Sequence, residues 1–569
     1  MRTRARQGIV ARATVLDEIP DVDLRRSREE ELRQRLTPWA FAALGSACGE
    51  SLVLGGFPAG QTGDGSGGVT PTASTTGDSG PADDSTTGGG DPNPPDVTAQ
   101  LWAPFVELTV DNPSWDGNPH DIRATVTFSH EDSGAEHMTE MFYGGGEQWR
   151  FRFAGTALGS WSFVSTSDDP DLDERSGSIS VEPNPDPLTV GFSTSVTSSL
   201  GTHWGRPRGN DDAVEVFVPQ LVMMPPPAAY LDDPDGYRAR IDAFVADGFS
   251  GIYIHTVGEA WVDADGDPNE ATFDALEAIL AYVHTRGATT HVWAWDGAAQ
   301  VPGGVGSDEH ERVLRHIAAR LGPIPSWSLA YGLAGSWLTL EQIAASTETL
   351  RLHLGWPHPL GGRSPGPESG SDHAPFVPWH ASLGYAGYPH IAPDYDVYVA
   401  AMTSSPDKPI LSEDRFRVRD PVVAGDPEFS DIAPRMWLST MAGGVGNIWA
   451  NFLDGGSPAL GSAPFPTPVR DAVATYATFW RERFAADLTR VDLSVGAVAL
   501  QSEGATRAIV FALGTDAIDV DLSGLPSLRA GVAVDIRTPY AEVDVGALPV
   551  GAGTITLPYL GDWAIALGE

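Results

Sequence analysis

The chain has 569 residues, and 76 Asp and Glu against 35 Lys and Arg give it a formal net charge of −41. This balance excludes the broad basic surfaces by which proteins bind nucleic acid or anionic membranes, and it suits neutral or cationic ligands. The single cysteine, Cys48, excludes an intramolecular disulfide and a zinc site made of several cysteines. At roughly 100–200 residues per domain, the length predicts several folded units.

Residues 1–48 contain, in succession, the segments that make up an export signal. The basic flank Arg33-Gln34-Arg35 precedes a short apolar segment that ends in small residues before Cys48. Cys48 stands where a bacterial lipoprotein signal places its lipidated cysteine, although Leu44 lies one position further from it than is usual. The segment therefore predicts an extracytoplasmic protein, lipid-anchored at the cell surface or secreted. The alternative is a disordered tail with a short helix.

The next two segments differ in composition. Residues 49–96 are mostly Gly, Ser, Thr, Asp and Pro, which cannot form a core and predict a flexible, acidic tether. Residues 97–185 instead contain short alternating runs separated by turn residues, such as Val106–Val110, Ile122–Phe128 and Trp149–Phe153. That pattern is typical of an antiparallel β-sandwich.

Residues 200–486 alternate apolar runs with amphipathic helical patterns. Repeated βα units predict a central (β/α)8 TIM-type barrel. After it, residues 487–569 return to short strands and predict a second, C-terminal β-sandwich. The candidate barrel strands are Val214–Val218, Ser250–His255, Thr290–Trp295, Trp327–Tyr331, His358–Gly362, Val377–Ser382, Pro409–Leu411 and Val445–Trp449.

One stretch, 408–417, carries the strongest chemical signal. The apolar run Pro409-Ile-Leu411 is typical of a buried parallel strand, and it is followed within a few residues by charged side chains. Charges at the end of such a strand would face the mouth of the barrel, where active sites of this architecture lie. We therefore expect Glu413 at the mouth, held by Arg415 or Arg417. The alternative is a surface turn with a local ion-pair network.

Several motifs resemble a group of bacterial glycoside-hydrolase-like proteins. In that group, an N-terminal domain of unknown function precedes a barrel related to retaining (β/α)8 glycosidases, and a C-terminal β domain, labelled in some members as collagen-binding, follows. The resemblance covers roughly residues 97–569. The motifs that carry it are Phe142–Gly146, Trp149–Phe153, Gly159–Phe163, Ile317–Gly332, Leu354–Arg363, Tyr395–Tyr398, Pro409–Arg417 and Met441–Trp449.

The resemblance implies a catalytic role for Glu413, which ends the seventh strand. A carboxylate there would attack or stabilise an oxocarbenium-like transition state, and a second carboxyl about 5–5.5 Å away would protonate the leaving oxygen. The larger clan places that acid after strand four, but residues 331–337 contain none. Asp296, after strand three, is our first candidate for the missing acid. The alternative for each candidate is that it is an ordinary loop residue. The other candidates are Glu259, Asp263, Glu368, Asp372 and His373.

The remaining site predictions concern sugar binding. His255 and His380 lie at or near predicted strand ends, where they could bind sugar hydroxyls or serve as structural histidines. Arg415 and Arg417 complete the charged side of the proposed cleft. The carboxylates Asp263, Asp265 and Asp267 suit calcium but lack the full loop pattern, which favours a solvated turn. The aromatic candidates for a sugar subsite could instead be core residues that cap the barrel. They are Trp295, Tyr331, Trp337 and Trp449.

Together these features predict an exported glycoside-hydrolase-like protein that acts on a poly- or oligosaccharide. The missing acid after strand four favours a second class of function, a non-catalytic carbohydrate-binding surface protein with a degenerate barrel. A weaker third interpretation is an adhesion module. The expected partner is a carbohydrate. We expect no nucleic acid, no cofactor or metal, and membrane contact only through a lipid anchor.

Overall fold

The computed structural model describes residues 97–210, 213–333, 338–363, 380–388, 393–418, 428–450, 465–525, 530–549 and 551–568, except for the side chains of residues 333, 414, 415 and 417. Within these ranges, none of the helices combines the length and the apolar character that a membrane crossing requires. The predictions for Cys48 and for the tether over residues 49–96 fall outside the described residues.

The front domain consists of two β-sheets, ordered β1-β8-β7-β3-β4 and β2-β6-β5. Alternate residues of the third strand are buried, and its Phe128 packs against Phe151 and Phe163. This alternation is what the short runs of the sequence predict, because each strand buries one face. The strands are β1 (Val97–Gln100), β2 (Val106–Asp111), β3 (Ala124–His130), β4 (Glu136–Glu140), β5 (Phe142–Gly145), β6 (Gln148–Phe153), β7 (Gly159–Ser167) and β8 (Ser176–Glu182).

A small antiparallel sheet follows the front domain. Its three strands are β9 (Thr194–Ser198), β10 (Gly201–Pro207) and β11 (Val214–Phe217), and β10 lies between the other two.

The central domain is a closed barrel of eight parallel strands, which confirms the predicted fold class. The strands pair in chain order, and the eighth closes on the first. They are β12 (Gln220–Met224), β13 (Gly251–Ile254), β14 (Thr289–Trp293), β15 (Trp327–Leu333), β16 (Leu360–Arg363), β17 (Ala386–Tyr388), β18 (Ile410–Arg417) and β19 (Gly446–Ala450). The α-helices among the described residues are α1 (Pro227–Asp232), α2 (Pro234–Ala246), α3 (Glu270–His284), α4 (Asp308–Leu321), α5 (Leu340–His353), α6 (Tyr395–Ser404), α7 (Phe429–Met441) and α8 (Thr467–Trp480).

Two barrel strands differ from the prediction. The first is Gln220–Met224 and not Val214–Val218, whose Val214–Phe217 part pairs with β10 instead. The Val-Glu-Val-Phe run alternates, as a strand with one covered face does, whereas Leu221 to Met224 is continuously apolar and suits a parallel strand covered on both faces. The sixth is Ala386–Tyr388 and not Val377–Ser382. This strand has only three residues, too few to show a pattern of apolar and polar residues by which the sequence could reveal it.

A side chain from β10 closes the amino-terminal end of the barrel. The Trp204 indole donates a hydrogen bond to the Ile410 carbonyl at 2.9 Å, and its ring centroid lies 5.6 Å from that of Tyr385. Leu411 and Ile448 belong to the same buried cluster. The interior is therefore filled at this end, and space for chemistry has to be sought toward the carboxyl ends of the strands.

The C-terminal domain is a six-stranded sheet ordered β20-β21-β22-β25-β23-β24. One side of it packs on the barrel, where Phe511 stacks on Trp437 of α7 with ring centroids 6.0 Å apart. The other side has its own core, which includes Ile518 and Trp563. The strands are β20 (Leu488–Val491), β21 (Ala497–Ser502), β22 (Ala508–Asp521), β23 (Gly531–Asp535), β24 (Val543–Asp544) and β25 (Ala552–Leu567).

Buried arginines join the front domain to the barrel. Arg152 of β6 is 4% exposed, and its guanidinium lies 2.8 Å from a Glu107 carboxylate oxygen and 2.6 Å from one of Glu277 on α3. It also donates to the Arg320 carbonyl at 2.8 Å and covers the Phe105 ring at 4.0 Å. Because these partners come from both domains, the domains share one network of ion pairs.

We expect Arg152→Met to lower the free energy of unfolding by about 3–5 kcal/mol, because it leaves the carboxylate of Glu277 buried without one of its cations. Arg123→Met is the control. Arg123 also pairs across the two domains, with Glu311, but its side chain is 64% exposed, so about 1 kcal/mol or less should be lost. Denaturant unfolding measures both variants. Equal losses would contradict a special role for the buried arginine.

Stability should also depend on pH through His284. Its Nε2 donates to the Trp102 carbonyl at 2.8 Å, and burial lowers its pKa to about 4. The unfolded chain, with a histidine pKa near 6.5, then binds more protons between pH 4 and 6.5, so the free energy of unfolding falls as the pH falls through that range. His284→Asn should reduce the slope by up to about 1.4 kcal/mol per pH unit. Denaturant unfolding at several pH values checks this, and unchanged slopes would contradict it.

Candidate active site

Glu413 lies inside the barrel, on the seventh strand. Relative to β19, two extra residues of β18 stand between Ser412 and Arg415, so the strand bulges at Glu413 and Asp414. Leu411, two residues earlier, belongs to the interior cluster. The side chain of Glu413 follows it inward and is 3% exposed. A carboxylate is thus placed in the interior, where burial without partners would cost several kcal/mol.

The two oxygens of the Glu413 carboxylate have different surroundings. Oε1 accepts a hydrogen bond from the Tyr385 hydroxyl at 2.7 Å and lies 3.5 Å from Nε2 of His291. Oε2 is buried and has no hydrogen-bond partner among the described residues. Gly387 makes room for the group, since a Cβ there would come within 2.7 Å of the Glu413 Cδ. The carboxylate is therefore fixed through one oxygen and available through the other.

His291 lies beside the carboxylate and is fully buried. Its Nδ1 is 2.7 Å from the Ser328 hydroxyl, and its ring stacks on Tyr253 with centroids 5.3 Å apart. Its Nε2 has no hydrogen-bond partner among the described residues, and the same holds for Nε1 of Trp293 two positions further along β14. Nearly all buried polar atoms in folded proteins are paired. Unpaired atoms of Glu413, His291 and Trp293 in one interior therefore mark a site for a polar ligand or for ordered water.

Tyr385 acts as the donor to Glu413. Burial, together with the negative charge of Glu413, raises the pKa of Tyr385 well above the ordinary range of tyrosine. The phenol is therefore the donor of this hydrogen bond, and the carboxylate oxygen is the acceptor. A phenol that donates to one carboxylate oxygen orients that carboxylate without adding a cation to the interior.

Two predicted site residues, His255 and Asp296, lie just beyond the carboxyl ends of barrel strands, whereas a third, His380, lies before the amino-terminal end of strand six. His255 directly follows strand two, and Asp296 stands three residues after the end of strand three at Trp293. The Thr256 hydroxyl donates to an Asp296 carboxylate oxygen at 2.7 Å. Asp296 is half-buried and stands four strands from Glu413, so the two strands face each other across the barrel. His380 precedes strand six, is exposed and lies 2.8 Å from the Ser382 hydroxyl.

Three predicted sugar-binding aromatics are core residues instead. Trp295 and Tyr331 are at most 1% exposed and stack on each other, and the Tyr331 hydroxyl donates to the Ser346 carbonyl of α5. Trp449 is fully buried and donates from its indole to Gln220. Rings that are covered on both faces leave no surface on which a sugar can stack. The assignment of these three residues to a sugar subsite is therefore wrong, and the core alternative is correct.

Other predictions fall outside what the structure describes. These concern the side chains of Arg415 and Arg417, the turn after strand four that includes Trp337, and the loop that contains Glu368, Asp372 and His373. In the described acidic turn, one Asp263 oxygen accepts hydrogen bonds from the backbone of Asp265 and Asp267.

Sequence reasoning missed Tyr385 and His291, the two residues nearest the carboxylate. The signal for His291 is present, because Thr290-His-Val-Trp was assigned to a strand and a residue next to outward-facing Val292 has to face inward. Tyr385 precedes a three-residue strand in a Gly-Tyr-Ala-Gly-Tyr context, which carries no recognisable pattern.

Comparison with known proteins agrees with the architecture described above. A family model described as a domain of unknown function, DUF5060, matches residues 98–168 of the front domain. A crystal structure of a "putative glycoside hydrolase" from Bacteroides vulgatus matches with a TM-score of 0.65 at 14% identity, over 83% of this chain and 99% of its own. The chain therefore shares the fold of this structure, and its own closed eight-stranded barrel is flanked by β domains.

Two further structures support the same fold. One, described as a glycoside hydrolase, has a TM-score of 0.52 at 11% identity and covers 66% of this chain and 96% of its own. A family 5 glycoside hydrolase from Bacteroides vulgatus has a TM-score of 0.51 at 12% identity and covers 66% of this chain and 92% of its own. No curated protein matches the sequence.

We expect Tyr385→Phe to destabilise the protein by about 1.5–3 kcal/mol, because it removes a hydrogen bond to a buried charged group. Tyr388→Phe is a matched control, since Tyr388 belongs to the same segment, is 1% exposed, and shares hydrogen bonds with the neutral hydroxyls of Ser404 and Ser405. Its loss should be about 1 kcal/mol. Denaturant unfolding compares the two, and an equal or smaller loss for Tyr385→Phe would contradict a charged carboxylate at Glu413.

Proposed function

We propose that the protein is a glycosidase that acts on a poly- or oligosaccharide, with Glu413 as the nucleophile or the stabiliser of the transition state. The observation that supports this most directly is the environment of its carboxylate. Oε1 is held by Tyr385, while Oε2 is unpartnered in the barrel interior. An oxocarbenium-like transition state is positively charged, so a fixed carboxylate with one free oxygen suits either attack on the anomeric carbon or electrostatic stabilisation.

In the covalent form of this mechanism, Oε2 attacks the anomeric carbon while the bond to the leaving oxygen breaks. The hydrogen bond from Tyr385 keeps the carboxylate oriented through Oε1, which reduces the reorganisation needed during attack. Water then releases the sugar from the enzyme, and the configuration at the anomeric carbon is retained. His291 lies on the same side of the carboxylate as Tyr385. Its unpartnered Nε2 would be available to a sugar hydroxyl.

For the acid that protonates the leaving oxygen we propose Asp296. It is half-buried at the end of the strand opposite that of Glu413, and Thr256 orients it through one oxygen. Glu259, in the 3-10 turn Gly258–Trp261, is the next candidate on the described part of this rim. The residues from 332 to 337 after strand four contain no acidic side chain.

The absence of an acid after strand four favours a second candidate function, that of a non-catalytic carbohydrate-binding protein. In that case the unpartnered atoms of Glu413 and His291 would bind sugar hydroxyls without bond cleavage. Export and lipidation through Cys48 belong to the proposal in both cases, because a tether of about 48 residues would separate the folded domains from the membrane.

The test is hydrolysis of a panel of polysaccharides and aryl glycosides by the full chain. Glu413→Gln should lower kcat/KM by a factor of about 1000 or more, which corresponds to about 4 kcal/mol of transition-state stabilisation. Glu341→Gln is the control, because Glu341 is exposed in the first turn of α5. Asp296→Asn should slow glycosides with poor leaving groups far more than those with good ones, since only the former need an acid.

Other outcomes separate the two candidates. No turnover, together with glycan binding that survives in Glu413→Gln, would favour the binding protein. Activity that Glu413→Gln leaves intact would contradict the assigned role of Glu413.

A further inference from the structure

A small cavity lies where the front domain meets the outer layer of barrel helices. Its volume is about 20 Å³, and its walls include His120 and Tyr143 from the front domain and Arg312 and His316 from α4. Such a volume holds one water-sized occupant. The cavity faces away from Glu413, since α4 covers the outside of the strands.

Three side chains with metal-binding atoms meet beside this cavity. His120, Glu270 and His316 each offer one ligand atom, and the three atoms lie within 4.8 Å of one another. His120 belongs to the short 3-10 turn Pro119–Asp121 of the front domain, Glu270 to the first turn of α3 and His316 to α4. The cluster therefore exists only because the front domain is docked on the barrel.

His316 gives an independent sign of a missing ligand. It is 5% exposed, and its Nε2 has no hydrogen-bond partner among the described residues. This nitrogen lies 3.3 Å from Oε1 of Glu270. The edge contact with Phe273, at 4.4 Å between ring centroids, holds the imidazole in place. A single atom bound to both Nε2 of His316 and Oε1 of Glu270 would give each of them a partner.

The residues around the cluster hold the three ligands in position. The Asn118 side chain accepts a hydrogen bond from the backbone of His120 at 2.9 Å and donates to Asp267, next to α3, also at 2.9 Å. Arg320 pairs with Oε2 of Glu270, which leaves Oε1 directed at His316. Contacts of this kind orient metal ligands and are a regular part of metal sites.

The arginines near the cluster do not make it positive. Arg312 pairs with Asp121 and Asp267, Arg315 pairs with Glu140, and Arg320 pairs with Glu270, Asp274 and Glu277. Carboxylates thus outnumber the three guanidinium groups, and a cation would meet a negative environment.

We propose that His120, Glu270 and His316 form a zinc site that joins the front domain to the barrel. Two imidazoles and one carboxylate form a donor set that suits zinc, and three protein ligands leave a fourth position for water. Calcium and magnesium prefer sites made of oxygen donors alone. The site is structural, because it lies among the outer helices and connects elements of two domains.

The test is a zinc titration of the untagged full chain after treatment with a chelator and its removal. Calorimetry should give one zinc per chain, and Co²⁺ should give the visible absorption bands of a cation with nitrogen ligands. At a zinc concentration about 100 times Kd, Tm should rise by about 2–3 °C. His120→Ala and Glu270→Gln should each weaken zinc binding at least about tenfold. His120 is half-buried in a surface turn, so its replacement should leave the protein folded, which circular dichroism checks.

Asp274→Asn is the control for Glu270→Gln. Asp274 pairs with the same Arg320 at 2.7 Å but lies outside the cluster, so this variant should bind zinc as the parent does. Zinc bound equally well by folded His120→Ala and by the parent would overturn the proposal and indicate adventitious binding elsewhere. Absence of one-to-one binding by the parent would overturn it too. The hydrolysis assay does not enter this test, so the two proposals fail independently.

Discussion

Closure of eight parallel strands into one barrel is the constraint on which the other features depend. Each strand directs alternate side chains into a narrow shared interior, so residues far apart in sequence become neighbours there. Strands three, six and seven bring His291, Tyr385 and Glu413 together in this way. Trp204 packs with Leu411 and Ile448 in the same interior, and Tyr385 belongs both to this apolar cluster and to the polar group.

The front domain is bound to the barrel by charge as well as by apolar packing. Arg152 and Arg315 are each less than 9% exposed, and both form ion pairs between the two domains, Arg152 with Glu277 and Arg315 with Glu140. Buried ion pairs gain little over apolar packing but are costly to break on one side, so they favour one docking geometry. The same geometry brings His120 against His316. A domain attached in this way is part of the structural unit and is not a freely moving appendage.

The general architecture was predictable because helical and strand periods alternate along residues 220–480. The same reasoning misassigned strand one, where an alternating Val-Glu-Val-Phe run resembles a strand but pairs outside the barrel. It identified Glu413 from the abrupt change between an apolar run and charged residues. It did not identify Tyr385, because the hydrogen bond between them depends on the adjacency of strands six and seven and not on a local pattern.

The aromatic assignments failed for a different physical reason. A tryptophan next to aspartate or glycine can face a ligand or the core, and only the direction of its side chain distinguishes the two. Trp295 and Trp449 face the helices, whereas Trp293, two residues before Trp295, belongs to the barrel interior. The strand ends at Trp293, so alternation does not extend reliably to Trp295.

The contact between Trp204 and Ile410 has a consequence for how the chain folds during synthesis. The hydrogen bond joins residues 206 positions apart. At about 5–20 residues per second, a ribosome needs roughly 10–40 seconds to make the intervening segment. Throughout that time the indole has no carbonyl to bind, and the apolar floor of the barrel is incomplete. The apolar surface around Trp204 therefore lacks its native cover until the seventh strand has been synthesised, and transiently exposed apolar surface of this kind is prone to aggregation.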